Sequence, residues 1–307
     1  MQRREFIQST SMVGMGSILN PFDQPIFMLK KPMIAVQQYT WLSYLRREGI
    51  TWNEDLDRFC QQLVDSGFSG FEPSFTQSSE VESFKAMLPK FNIWTSSMYV
   101  NSTLHDPDQI ESSISNALSI AKVAKKMGIK IVVTNPSPIK WGDPIDKTDD
   151  QLILQAKSLN RLGSELRKLG MKLAYHTHDM EMRQSAREFH HMLLNSDKEN
   201  VHLCLDSHWV YRGAGNSQVA LFDIIKLYGD RIVELHLRQS KDGVWSEVFG
   251  EGDIDHDSMI GLLSDKKLKP HIVLEQGVEK ETPQTMSAIA AIKESLAYTV
   301  EICQPLI

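Results

Sequence analysis

Six side chains able to ligate a metal or move a proton stand at or just past the ends of short apolar runs: Glu72, His176, His178, Asp206, His236 and Glu275. Gly70-Phe71 leads into Glu72, Leu173-Ala174-Tyr175 into His176, Leu203-Cys204-Leu205 into Asp206, and Ile272-Val273-Leu274 into Glu275. A surface loop at these places would have supplied Ser, Asn, Gly and Lys instead. Any one of the six alone reads as an ordinary buried polar group paired with a neighbour. Recurring at equivalent positions of a repeating pattern, they read as a site. Two carboxylates with one or two imidazoles suit Mn²⁺, Mg²⁺, Co²⁺ or Zn²⁺ and leave coordination positions for substrate oxygens. The same residue types serve as general acids and bases.

Such groups need a scaffold that turns successive strand ends toward one point. From Pro32 onward, short apolar runs alternate with longer amphipathic stretches. Strands are expected at 33–36, up to Glu72, at 93–99, 130–134, 172–176, 201–206, 232–237 and 271–275. Helices are expected at 53–66, 80–90, 108–127, 149–169, within 185–194, and at 218–228, 257–263 and 283–302. Glycines just past several helices mark their ends. Eight strand–helix units without a linker fit a single-domain α/β protein, a (β/α)8 TIM barrel over residues 32–307. No GxGxxG follows the first strand, which speaks against dinucleotide binding. Asp206, His236 and Glu275 end consecutive strands, and adjacent strands lie about 4.8 Å apart. One divalent ion can therefore touch all three, with His176 or His178 as a fourth ligand.

The chain has 307 residues, 41% hydrophobic and 23% charged, with a net charge of -6. This acidic balance, with no basic run beyond the first residues, argues against nucleic acid as a partner. Cys60, Cys204 and Cys303 are odd in number and widely spaced, which reads as buried thiols rather than disulfides or a metal knuckle. Residues 1–31 stand apart. Arg3-Arg4 precedes Phe6-Ile7, and a weakly apolar Ser9–Leu19 stretch follows. This is similar to a twin-arginine export signal and points to a periplasmic location, with the cytoplasm as the alternative. The stretch is too short and mixed to insert in a membrane.

The chain resembles the xylose isomerase-like TIM barrels, the superfamily of sugar isomerases and epimerases that also holds inosose dehydratases and type IV apurinic endonucleases. The resemblance rests on Gly70-Phe71-Glu72-Pro73, Tyr175-His176-Thr177-His178-Asp179-Met180-Glu181, Leu205-Asp206-Ser207-His208-Trp209-Val210, Leu235-His236-Leu237-Arg238, Gly250-Glu251-Gly252-Asp253-Ile254 and Leu274-Glu275-Gln276. It implies a metal held by His176, Asp206, His236 and Glu275. It departs from the ketose epimerases, which carry a glutamate where His176 stands, and from the His-Leu-Lys-Asp motif, replaced here by His-Leu-Arg-Gln.

The chemistry this implies is proton abstraction next to a sugar carbonyl. Glu275, or His176 or His178, serves as base, and Arg238 holds the enediolate. Reprotonation gives isomerisation or epimerisation; loss of a group from the next carbon gives a lyase or dehydratase acting on a keto-sugar or keto-glycoside. Glu181 is a further candidate for proton transfer. Glu72, His178, His208, Trp209, Arg238 and Glu251 are candidates for contacting a small carbohydrate substrate. Trp41 and Trp245 offer further faces for stacking or for core packing, and the loop from Ser240 to Asp253 is long enough to close over the bowl. An exported sugar-binding barrel without chemistry, and a multi-metal phosphoesterase, are the rival readings. A homo-oligomer is left open.

Overall fold

The computed structural model describes residues 32–50 and 55–307. The leader expected at residues 1–31 and the first residues of the helix expected at 53–66 lie outside the described residues.

The most continuous apolar runs form eight short strands: β1 (Ile34–Gln37), β2 (Gly70–Glu72), β3 (Ser97–Tyr99), β4 (Ile131–Thr134), β5 (Lys172–Tyr175), β6 (Val201–Asp206), β7 (Ile232–Leu237) and β8 (His271–Leu274). All pair in parallel, in the order β2-β1-β8-β7-β6-β5-β4-β3. The seam between β2 and β3 is drawn together by isolated parallel bridges, Gly70 with Trp94 and Ser74 with Tyr99. Phe71 N donates to Trp94 O at 3.0 Å, and Tyr99 N donates to Pro73 O at 2.8 Å. The result is the (β/α)8 barrel expected from the alternation. Strand three is shorter than expected, paired as a ladder only over Ser97–Tyr99; before it Trp94 makes a single bridge to Gly70 and the Thr95 hydroxyl donates to the Ser97 carbonyl at 2.9 Å.

Ten α-helices surround the barrel among the described residues: α1 (Gln38–Arg47), α2 (Leu56–Asp65), α3 (Ser78–Met87), α4 (Ile110–Ala124), α5 (Asp149–Lys168), α6 (Arg183–Leu194), α7 (Ser207–Gly213), α8 (Gln218–Tyr228), α9 (His256–Asp265) and α10 (Ala288–Ile302). Sequence periodicity misses two of them. In α1 the stretch Gln38-Tyr39-Thr40-Trp41 is rich in poor helix formers, and the helix exists because it buries Thr40, Trp41, Ser43 and Tyr44. The short α7 begins directly after Asp206, whose side chain caps it. The last helix starts at Ala288 rather than 283, where Ser287 supplies the cap.

The helix α5 shows how tightly this layer sets the strand positions. Thr148 and Gln151 form its capping box, and Gly170, at φ +74°, follows its end. Its inner face seats Leu159, Leu162 and Leu166 in the core with no exposure. Between them Gly163 lies against the backbone entering β6: a Cβ there would sit 2.0 Å from the Asn200 carbonyl oxygen. Alanine in a helix interior ordinarily gains about 1 kcal/mol over glycine. Here Gly163→Ala should instead destabilise by about 1–3 kcal/mol, since the added methyl displaces backbone rather than a side-chain tip. Urea unfolding midpoints of the two proteins check the sign.

Candidate metal centre and active site

Successive side chains on a strand point to opposite faces, so β7 aims Glu234 and His236, and Arg238 just past its end, into the barrel in a column. The register sets Asp206 beside His236 and Cys204 beside Glu234 on one side. On the other side Val273 lies beside His236, and Glu275 N donates to the Leu237 carbonyl at 2.9 Å. The strand ends thus bring His176, Asp206, His236 and Glu275 together, one ligand atom from each lying within 4.8 Å of all the others. His176 Nε2 is 3.5 Å from Asp206 Oδ2 and 3.9 Å from Glu275 Oε2. His236 Nδ1 is 3.0 Å from the same Glu275 oxygen.

These atoms have the character of a cation site. Asp206 divides its carboxylate: Oδ1 accepts the Trp209 N–H at 2.8 Å as the α7 cap, while Oδ2 has no hydrogen-bond partner. His176 Nε2 is also without one, although its ring is held from the other side by the Tyr99 hydroxyl, 3.3 Å from Nδ1. Two buried polar atoms left without hydrogen bonds and facing each other are costly unless a further group lies between them. Burial opposes charge on Glu275, but Arg238 and His236 beside it hold its carboxyl down at about 2. The donor set fits a divalent ion.

Arg238 is almost fully buried. Its Nε donates to the Glu275 carbonyl at 2.9 Å and its Nη2 lies 3.2 Å from Glu275 Oε2. The guanidinium carbon is 4.2 Å from the Trp245 ring centroid, 5.1 Å from Trp209 and 5.6 Å from Tyr39. Rings on these sides strip water from the cation and add π attraction. Its Nη1 has no partner.

The hairpin of Ser240–Lys241 and Val244–Trp245 brings Trp245 into this place. Its base is tied by Gln239, whose amide nitrogen donates to Gly250 O and Ile254 O and lies 3.2 Å from His256 Nδ1, while its oxygen accepts from Ser240 N and Ile254 N. A carboxylate could make only the accepting half of these bonds, which gives a physical reason for glutamine at this position. Asp253 anchors the hairpin turn through Ser240, Asp242 and Gly243.

His178 stands at the rim. Its ring contacts those of His176 at 5.0 Å, Trp209 at 5.2 Å and Trp141 at 5.0 Å. Burial and the neighbouring His176 keep its pKa well below the ordinary value, so the ring is neutral, and Nδ1 has no partner. Trp141 is 50% exposed, and only tertiary structure sets it against His178, since the β4–α5 loop that carries it has no periodic signal. Glu181 lies beneath this run, accepting the His178 N–H at 2.6 Å and an Asn135 amide hydrogen at 3.1 Å.

The remaining candidates are placed differently. His208 is wholly buried among Trp209, Tyr211 and Trp245, where burial and then Arg238 lower its pKa to about 3. Glu72 is fully buried deep in the barrel, 3.1 Å from His236 Nε2. Glu251 is exposed, and its charge is felt at Tyr298 on the outer helix α10. Trp41 packs in the core against Phe59. Sequence reasoning passed over Tyr99, Trp141 and Glu234; only Glu234 had a signal, being two residues before His236 on the same strand face.

With fold and geometry in place, comparison with known proteins defines the class. Residues 60–301 match the family described as Xylose isomerase-like TIM barrel, and the chain belongs to it. Among curated relatives, an inosose dehydratase of Clostridium perfringens is 24% identical over 243 residues, 70% of this chain and 80% of that protein. Among solved structures, a 3-keto-D-glucoside 4-epimerase from E. coli superposes with a TM-score of 0.66 at 15% identity, covering 89% of this chain and all of the other. A xylose isomerase-like TIM barrel protein from Mycobacterium smegmatis, solved in complex with magnesium, gives 0.68 at 15% identity, covering 91% and 98%. No helix among the described residues is long and apolar enough to cross a membrane.

Glu181 allows a test of these electrostatics. Burial, and then Glu188, push its carboxyl up to about 7, against the hydrogen bonds from Asn135 and His178. An unfolded glutamate titrates at about 4.3, so the folded state favours the protonated form. That stabilisation is complete below the unfolded value and is lost as pH rises through 7. The unfolding temperature of metal-free Glu181→Gln, relative to wild type, should therefore increase between pH 5 and pH 8. A pH-independent difference would contradict this placement.

Proposed function

We propose that this protein is a divalent-metal-dependent enzyme that removes a proton from the carbon next to a sugar carbonyl, giving isomerisation or epimerisation. The observation that carries this reading is the convergence of four buried ligand atoms within 4.8 Å, next to a guanidinium nitrogen and an imidazole nitrogen that both lack partners. His176, Asp206, His236 and Glu275 would hold the ion, which when bound would supply Lewis acidity toward a sugar carbonyl and its neighbouring C–H. Mn²⁺, Mg²⁺, Co²⁺ and Zn²⁺ all suit this donor set.

The chain's own residues divide the remaining work. Glu275 Oε2 is already engaged by His236 and Arg238, so it is not free to take a proton from substrate. With its proton on Nε2, neutral His178 presents a free Nδ1 lone pair, so we assign it proton abstraction. Arg238 Nη1 donates to the oxygen that gains charge as the enediolate forms. Trp245, Trp209 and Tyr39 keep that guanidinium dry and fixed, and Trp209 and Trp141 present indole faces to sugar C–H groups. Glu181 positions His178 through its backbone. His208 packs behind this wall, and exposed Glu251 contributes charge at the loop edge.

A second reading, elimination of a group from the carbon beyond the enediolate, is favoured by the likeness to an inosose dehydratase. Both outcomes pass through the same proton abstraction, so one experiment addresses the shared step. Wild-type protein should bind one Mn²⁺ per chain and exchange one carbon-bound hydrogen of a keto-sugar or keto-glycoside in D₂O. His178→Asn should keep the metal and lose exchange by at least about 100-fold, whereas Glu275→Gln should lose both. Undiminished exchange in His178→Asn would remove it from the base role, and a protein that takes up no ion would end the reading. Mass spectrometry of the products separates isomer from dehydrated product.

A further inference from the structure

The interior of a (β/α)8 barrel is ordinarily filled by branched apolar side chains. The layer below the ligand cluster departs from that: Glu72 from β2, Cys204 from β6 and Glu234 from β7 all point inward with no solvent exposure. Directly around them the wall is apolar, with Ile131, Val133 and Ala174 packed against Cys204. Both oxygens of Glu72 and Oε2 of Glu234 lack a hydrogen-bond partner. Two carboxylates in such a place cost several kcal/mol of desolvation, and neither touches the open side of the site.

Their shared neighbour is one atom. His236 Nε2 is 3.2 Å from Glu234 Oε1, in hydrogen-bond geometry, and 3.1 Å from Glu72 Oε2. The opposite nitrogen, Nδ1, is the one that faces Glu275, a member of the ligand cluster. An imidazole that ligates an ion through Nδ1 must carry its proton on Nε2, and an acceptor there fixes the tautomer, sets the ring plane and makes Nδ1 a better donor.

We infer that Glu72 and Glu234 are positioning residues that grip His236 from below and raise the affinity of the ligand cluster for its ion, with no contact of their own to ion or substrate. The inference rests on the metal site proposed above. It assigns Glu72, on a strand end like the ligands, to the support of a ligand rather than to the sugar. It also gives the column on β7 a division by depth: acid, ligand, then cation at the mouth.

The test is the affinity of the full chain for Mn²⁺, read by electron paramagnetic resonance of the free ion, alongside the unfolding temperature of the metal-free protein. Glu234→Met and Glu72→Met remove the acceptor at similar volume and should each weaken binding by about 10- to 100-fold. Glu234→Gln and Glu72→Gln keep an acceptor facing Nε2 and should weaken it less. The unfolding temperature of the metal-free Met variants reports separately whether the fold itself depends on these carboxyl groups, because removing one partner of a buried pair destabilises by itself. Met variants that bind Mn²⁺ as wild type does, with a lower unfolding temperature, would show a structural role and overturn the inference. So would two ions per wild-type chain with one lost in these variants, since the carboxylates would then be ligands of a second ion. A wild-type chain that binds no Mn²⁺ refutes the proposed function and this inference together, whereas unchanged affinity in the variants refutes this inference alone.

Discussion

The interior of this barrel is organised by a problem of charge. Glu72, Asp206, Glu234 and Glu275 are all buried and all lie within reach of His236 or His176, while Arg238 is the one guanidinium that pairs with the group among the described residues. Isolated carboxylates in a low-dielectric interior are strongly disfavoured. The protein meets part of this by protonation: burial and the neighbouring Glu72 push the Glu234 carboxyl up to about 8. Asp206 and Glu275 face the mouth, where a divalent cation held by the cluster would supply the remaining balance.

That constraint explains why the mouth is lined with rings. Trp209, Trp245 and Tyr39 around Arg238, and Trp141 and Trp209 around His178, exclude water without competing for the charged groups. Low polarity strengthens each electrostatic contact inside. It also keeps both His178 and His208 neutral. The Gln239 and Asp253 network is the mechanical side of the same arrangement, because it holds the hairpin that carries Trp245.

Isomerisation, epimerisation and elimination share one demand, a carbon acid made acidic beside a carbonyl and a base positioned to take its proton. A barrel meets that demand with side chains from several strand ends, so the ligand cluster is common to all three chemistries. What distinguishes them is the position of the group that returns a proton or assists a leaving group. The residues available for that on this chain are at the rim, on the loops after β4 and β5, where Trp141 and His178 stand.

The eight-fold alternation and the polar residue closing each apolar run were legible in the sequence, because strand and helix periodicities are local properties of the chain. They sufficed for the barrel and for pointing to Asp206, His236 and Glu275, with His176 or His178 beside them; the choice of His176 came from the family resemblance. The helix α1 was not legible, since burial of Trp41 and Tyr44 and not local preference holds it. Nor could sequence alone separate Glu72 from the strand-end groups that face the mouth. Its depth follows from the tilt of the strands around the closed barrel, a quantity fixed only when the barrel forms. The direction of each imidazole nitrogen, the contact of Trp141 with His178 and the boxing of Arg238 are likewise tertiary. They depend on which loop meets which strand end, and no spacing along the chain encodes that distance.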